Sequence, residues 1–99
     1  MKQFEAAAQA AIDSIPDEFR PYLANTIFII EEASAEGLMG LYEGATALVD
    51  LGMPERITLY KRAHEQAVDS LDELVVEVQR TILHEVGHHF GMEEEDLPF

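Results

Sequence analysis

The chain has no cysteine and few basic residues, and each absence restricts what the protein can be. Without cysteine there is neither a disulfide framework nor a thiolate metal site, so a bound metal needs histidine nitrogens and carboxylate oxygens. Only 6 basic residues accompany 20 acidic ones, and the net charge of −14 repels phosphate backbones and anionic lipid surfaces. We therefore expect no nucleic-acid partner and no membrane partner.

Long apolar runs are also missing from the sequence. No run approaches the roughly 18 residues that a bilayer-spanning helix needs. The first segment, MKQFEAAAQAAID, is interrupted by Glu5 and Asp13, which a secretory leader would not contain. These features predict a cytoplasmic protein. Its 99 residues, 47% of them hydrophobic, predict one folded domain over residues 1–99.

Amphipathic helices are predicted near both ends of the chain. Residues 2–15 carry apolar side chains at spacings of three and four, and Pro16 marks the end of that helix. The segment PDEFRPYLAN predicts a short helical turn. Ser70 and Glu73 form an S-x-x-E capping box, and a helix of about 20 residues follows until Gly91. Its predicted apolar face consists of Leu71, Leu74, Val75, Val78, Ile82, Val86 and Phe90.

Three short strands are predicted between these helices. The β-branched, nearly continuous apolar run at 25–32 predicts a strand covered on both faces. A second strand is predicted near 38–43, followed by a loop at 45–55. Alternation at 56–63 predicts the third strand, and HEQAVDS (64–70) predicts a turn or a short helix. Strands in the middle with helices at both ends indicate an α+β fold.

The last predicted helix carries the motif H-E-x-x-H, formed by His84, Glu85 and His88. Residues four apart on a helix differ by about 6 Å in rise and roughly 40° in rotation, so both imidazoles can point at one ion. Glu85 lies about 100° further round than His84, beside the ion, where a base for metal-bound water is needed. Zinc suits this set, because catalytic zinc sites use such ligands and keep one position for water.

A third ligand is expected just beyond the helix. Gly91 falls three residues after His88, and a glycine there can swing the chain back towards the same ion. The residue three positions further on is Glu94, which spacing favours as the third ligand, with Glu93 and Asp96 as alternatives.

Competing interpretations exist for the histidines. His84 and His88 can simply be polar residues near the helix C-terminus, where the negative end of the helix dipole favours histidine. His89 points roughly 100° away from His88, which predicts a structural role or one of supporting a ligand. His64 lies outside the motif, and a surface or capping position is expected for it.

Three segments carry a resemblance to a known family, in this order: GLMGLYEGA, RITLYKRA and TILHEVGHHFGMEEEDL. With them, the chain resembles a family of small bacterial zincin-like proteins described as minimal zinc metallopeptidases. The resemblance runs from about Leu23 to Leu97 and is most specific at 84–91. It implies a zincin-like α+β fold, with a small twisted sheet of about three strands against N-terminal helices and a long C-terminal active-site helix. It also implies zinc as cofactor, His84 and His88 as ligands and Glu85 as the catalytic glutamate. The related motif commonly has Asp or His where this chain has Glu94.

The predicted function is zinc-dependent hydrolysis of peptide bonds, in which Glu85 activates a metal-bound water and passes its proton to the leaving amine. By analogy with larger zincins, the strand Gly40–Glu43 is the sheet edge that receives a peptide or protein substrate, through Gly40, Leu41 and Tyr42. An ordinary edge strand protected by Glu43 is the competing interpretation. Two other functions fit the sequence: a non-proteolytic zinc-binding module that holds a partner segment on this edge strand, and an interaction protein whose histidines bind nothing.

Overall fold

The computed structural model describes residues 2–43 and 54–91. Within these ranges the chain forms, in order, helix α1 (Lys2–Asp13), a 3-10 helix (Asp17–Leu23), strands β1 (Thr26–Glu31), β2 (Gly40–Glu43) and β3 (Glu55–Tyr60), and helices α2 (Lys61–Ala67) and α3 (Leu71–His89). The predicted α+β class is confirmed. The loop expected at 45–55 lies almost entirely outside the described residues. No helix in the described ranges is long and apolar enough to cross a membrane.

Helix α3 begins and ends at the residues that the sequence predicts. The Ser70 hydroxyl oxygen accepts a hydrogen bond from the Glu73 backbone N–H at 3.1 Å, which satisfies one of the unpaired donors of the first turn. At the other end, the Phe90 N–H donates to the Val86 carbonyl at 3.0 Å. Gly91 then takes a φ of +70°, a conformation that glycine adopts at little cost and that ends the helix.

The hydrophobic core lies between α1, α3 and the sheet. The face of α1 that the apolar spacing predicts is buried, with Phe4 and Ala11 fully inaccessible. It packs against α3, whose Val78, Ile82 and Val86 are also fully buried. The predicted apolar face of α3 is wrong at its ends, because Leu71 is 51% and Phe90 42% exposed. Helical spacing predicts the direction in which a side chain points. It does not predict how far along the helix the elements that pack against it extend.

Strand β3 is the centre of the three-stranded sheet in the described part of the chain. Strand β1 pairs with it in parallel on one side, and β2 pairs antiparallel on the other. Ile57 and Leu59 of β3 are fully buried. The prediction that β1 is covered on both faces is wrong, since no residue of that strand is fully buried and Ile27 is 45% exposed. Within the described residues β1 lies at an edge of the sheet, a position that an apolar run does not reveal.

The third strand ends earlier than predicted, at Tyr60 rather than at residue 63. Helix α2 begins at Lys61, whose ammonium lies 3.1 Å from the Glu65 carboxylate one turn further on. The short helix expected in HEQAVDS is therefore present, but it starts three residues sooner. The surface position expected for His64 is wrong, because α2 turns its ring into the core, where it is fully buried.

Candidate metal centre

The structure brings the two motif histidines together on one face of α3. The ring centroids of His84 and His88 are 6.5 Å apart, and the ring planes differ by 18°. His84 is half-buried, whereas His88 is exposed. This is the arrangement that a spacing of four residues predicts for a helix. The role of these two side chains as ligands stays a prediction.

The donor set fits zinc in its chemistry. Two imidazoles and a carboxylate are ligands that zinc accepts, and the chain has no cysteine to offer instead. His84 and His88 would hold the ion from the same face of α3.

The predicted third ligand, Glu94, lies outside the described residues, as do its alternatives Glu93 and Asp96. Within 2–43 and 54–91, no three His, Asp or Glu side chains are grouped so that they could share a metal ion. The choice among the three acidic residues therefore rests on sequence spacing.

Glu85, the predicted base, lies next to the two histidines and under strand β2. Its Oε1 accepts a hydrogen bond from the backbone N–H of Tyr42 at 3.1 Å. Burial raises the pKa of Glu85, while the hydrogen bond from Tyr42 and the neighbouring His88 and His84 oppose this rise. A carboxylate with a raised pKa accepts a proton more readily near neutral pH than an ordinary glutamate does.

Gly40 allows β2 to lie this close to α3. A Cβ atom at this position would be 2.6 Å from Thr81 Cγ2, far inside normal contact. It would also be 3.5 Å from Glu85 Cγ. Gly40 is therefore a point of close approach between β2 and a side chain of the motif helix.

The side chain of Tyr42 is held by two residues that the sequence analysis did not connect with it. Its hydroxyl donates to Glu55 Oε2. Its ring stacks on His89 with centroids 4.1 Å apart and planes 16° apart, and His89 Nε2 lies 3.8 Å from Glu55 Oε2. Burial raises the pKa of the Tyr42 hydroxyl above its usual value, and so do the hydrogen bond to Glu55 and the charge of that carboxylate. The hydroxyl therefore remains a donor, and His89 takes the structural position expected for it.

A second buried contact supports α3 one turn before Glu85. His64 Nδ1 lies 2.8 Å from the Tyr60 carbonyl, and Nε2 lies 2.8 Å from the Thr81 hydroxyl. A carbonyl can only accept, so Nδ1 carries the hydrogen and Nε2 accepts from Thr81. Burial lowers the pKa of His64, which keeps the ring neutral. The histidine thus joins the end of β3 to the motif helix.

Strand β2 lies at one edge of the described sheet, as expected for the predicted substrate-binding strand. Gly40 is buried against α3, and the N–H of Tyr42 is already bonded to Glu85. Leu41 faces the opposite side of the sheet, where it borders a cavity of about 400 Å³ together with Thr58. The three predicted residues therefore have different surroundings, and substrate binding by them stays a prediction.

The chain is similar to a known family of proteins. A family model described as zincin-like metallopeptidase matches residues 24–98. The match includes β1, β2, β3 and the whole of α3 with its motif, and it begins after α1. No curated protein matches the chain.

Proposed function

Because the chain belongs to the zincin-like metallopeptidase family, we propose that it hydrolyses peptide bonds in a zinc-dependent reaction. The observation that supports this most directly is the position of Glu85. Its carboxylate is part-buried and lies beside His84 and His88, and one of its oxygens is held by the edge strand. A residue that only capped or solubilised the helix end would not need this burial.

We assign each side chain a role in this reaction. His84 and His88 would hold the zinc ion through their ring nitrogens. When bound, zinc supplies a Lewis acid that polarises the scissile carbonyl and lowers the pKa of water towards neutrality. Glu85 takes a proton from the attacking water at Oε2, since Oε1 already accepts from the Tyr42 N–H. It then gives this proton to the nitrogen of the leaving amine.

We propose Glu94 as the third ligand on the grounds of its spacing from His88. Calorimetric titration of metal-free protein with zinc tests this directly. Replacement of Glu94 by alanine should weaken zinc binding far more than replacement of Glu93 or Asp96. Equal losses in the three variants would contradict a single third ligand and indicate diffuse attraction by the acidic segment. The variant His84→Ala/His88→Ala should bind no zinc at this site.

The catalytic role is tested with Glu85→Gln. The amide is nearly isosteric with the carboxylate but cannot accept the proton, so kcat on an unstructured peptide should fall by about 10²–10⁴-fold while zinc is retained. Glu77→Gln is the matched control, because Glu77 lies on the same helix and pairs with Arg80 at 2.8 Å. It should keep the wild-type rate.

The outcome also decides between the two metal-dependent functions. If zinc-loaded wild type and Glu85→Gln both leave a broad peptide library uncut, the protein is a zinc-binding module that holds a partner segment without cleaving it. Weak cleavage that is identical in the two proteins would indicate a contaminating protease. A chain that binds no zinc at all would contradict both functions.

A further inference from the structure

Strand β2 contacts Glu85 through a main-chain group whose direction is set by the sheet register. The N–H of Tyr60 in β3 donates to the carbonyl of Met39 at 2.9 Å. Residues of an antiparallel strand alternate, so Leu41 directs its main-chain groups towards Thr58 of β3 and Tyr42 directs its own away from β3. The outward N–H of Tyr42 is the group that donates to Glu85 Oε1.

Further contacts fix the position of each element that contributes to this hydrogen bond, β2 and α3. The ring of Tyr42 stacks on His89 and its hydroxyl donates to Glu55, so a shift or twist of the strand would break both contacts. On α3, Thr81 contacts Gly40 with its methyl group, and its hydroxyl donates to the buried His64. These contacts fix the distance between β2 and the turn of α3 that carries Glu85.

We infer that Tyr42 is the positioning residue for Glu85: its backbone N–H binds Oε1, and its side-chain contacts with Glu55 and His89 hold that N–H in place. The carboxylate then cannot rotate freely, and Oε2 is the oxygen that transfers the proton. This catalytic part of the inference rests on the proposed function. The hydrogen bond itself does not.

One consequence concerns the substrate. A peptide that adds to the edge of β2 can use the Tyr42 carbonyl but not the Tyr42 N–H, which is occupied by Glu85. Pairing along β2 is therefore interrupted beside the catalytic carboxylate. We expect the peptide to be held by fewer main-chain hydrogen bonds than a four-residue strand could otherwise form.

Amide hydrogen exchange measured by NMR tests the hydrogen bond without any need for turnover. The Tyr42 amide should exchange slowly in the wild type and at least about tenfold faster in Glu85→Ala, which removes the acceptor. Glu85→Gln keeps an acceptor oxygen and should retain the protection. The Leu41 amide, bonded within the sheet, should stay protected in all three proteins and so reports that β2 is still folded. Equal exchange of the Tyr42 amide in wild type and Glu85→Ala overturns the inference.

A backbone substitution tests the positioning role. Incorporation of the α-hydroxy acid analogue of tyrosine at position 42 replaces the N–H by an ester oxygen and leaves the side chain intact. The kcat should fall by about tenfold, the size of one hydrogen bond to a charged group, with KM changed by less than about twofold. The control is the same change at Thr58, which removes one bond between β2 and β3 but leaves Glu85 in place.

The two tests separate the possible failures. Equal losses of kcat in both esters would show that Tyr42 acts only through the stability of the sheet. A rise in KM at unchanged kcat would show that the N–H serves the substrate, and either result overturns the positioning role. If the wild type does not cleave peptides, the proposed function fails, and the amide exchange still decides whether Tyr42 holds Glu85.

Discussion

Replacement of Gly40 by alanine should destabilise the protein through one identifiable contact. The backbone at Gly40 does not have a positive φ, so alanine is compatible with its conformation. The new Cβ would lie 2.6 Å from Thr81 Cγ2, and Thr81 is only 8% exposed and cannot move aside into solvent. Overpacking of this kind costs about 1–3 kcal/mol, against a gain of about 0.4–1 kcal/mol from a less flexible unfolded chain. We therefore expect a net loss of roughly 1–2 kcal/mol.

A compensating substitution makes this prediction specific. Thr81→Ser removes the Cγ2 methyl but keeps the hydroxyl that donates to His64. Alone, it should cost about 1 kcal/mol for the lost buried methyl group. In the double variant, the nearest atoms to the new Cβ are the Thr58 carbonyl oxygen at 3.4 Å and Glu85 Cγ at 3.5 Å, which are tolerable contacts. The double variant should therefore be more stable than the sum of the single effects by about 1–3 kcal/mol.

The assay is urea unfolding of the four metal-free proteins, which gives the coupling free energy from a double-mutant cycle. Thermal unfolding should show the same order, since 1 kcal/mol shifts the melting temperature of a domain of this size by roughly 4–8 °C. Additive effects of the two substitutions would refute the reasoning, because they would mean that Gly40 and Thr81 are not in contact. A stabilising Gly40→Ala would refute it as well.

Three further predictions concern stability. Burial lowers the pKa of His64 in the folded protein, so the unfolded chain binds the extra proton first as the pH falls below about 6.5. The unfolding free energy should therefore be unaffected by His64 above that pH and should decrease below it by up to about 1.4 kcal/mol per pH unit. The variant His64→Gln should lack this decrease, and urea unfolding at a series of pH values measures both proteins. Ser70→Ala should lower the unfolding free energy by about 1 kcal/mol and Ser70→Thr by less, because threonine keeps the oxygen that accepts from the Glu73 N–H and the hydroxyl that donates to Glu73 Oε1; thermal unfolding of both variants measures this. Gly91→Ala should cost about 1–2 kcal/mol because of the positive φ, and Gly91→Asn less, in the same assay; equal effects would contradict the helix-end geometry.

The elements that local patterns specify were predictable from the sequence. The apolar spacing of residues 2–15 and the capping pair Ser70 and Glu73 locate α1 and α3, because both signals depend on neighbours within one or two helical turns. Gly91 ends α3 where its sequence position indicates. The pairing of His84 with His88 is equally local, since it follows from the helical repeat alone.

Contacts between distant parts of the chain were not predictable in this way. Nothing in the sequence indicates that Glu55 and His89 hold the ring of Tyr42, or that the Tyr42 N–H reaches Glu85. These contacts depend on the register of β2 on β3 and on the distance between the sheet and α3. His64 illustrates the same limit, because its burial depends on partners at Tyr60 and Thr81 that satisfy both ring nitrogens.

The packing of α1 against α3 has a consequence for how the protein folds as it is synthesised. The buried face of α1, with Phe4 and Ala11, packs mainly against α3, and the ring of His64 from α2 lies 5.7 Å from the Phe4 ring. The parallel pairing of β1 with β3 also joins segments far apart in sequence, and such contacts form slowly. The first half of the chain alone therefore lacks the partners that bury this face of α1. We expect the core to form only when α3 packs against α1, and α3 is the helix that carries His84 and His88.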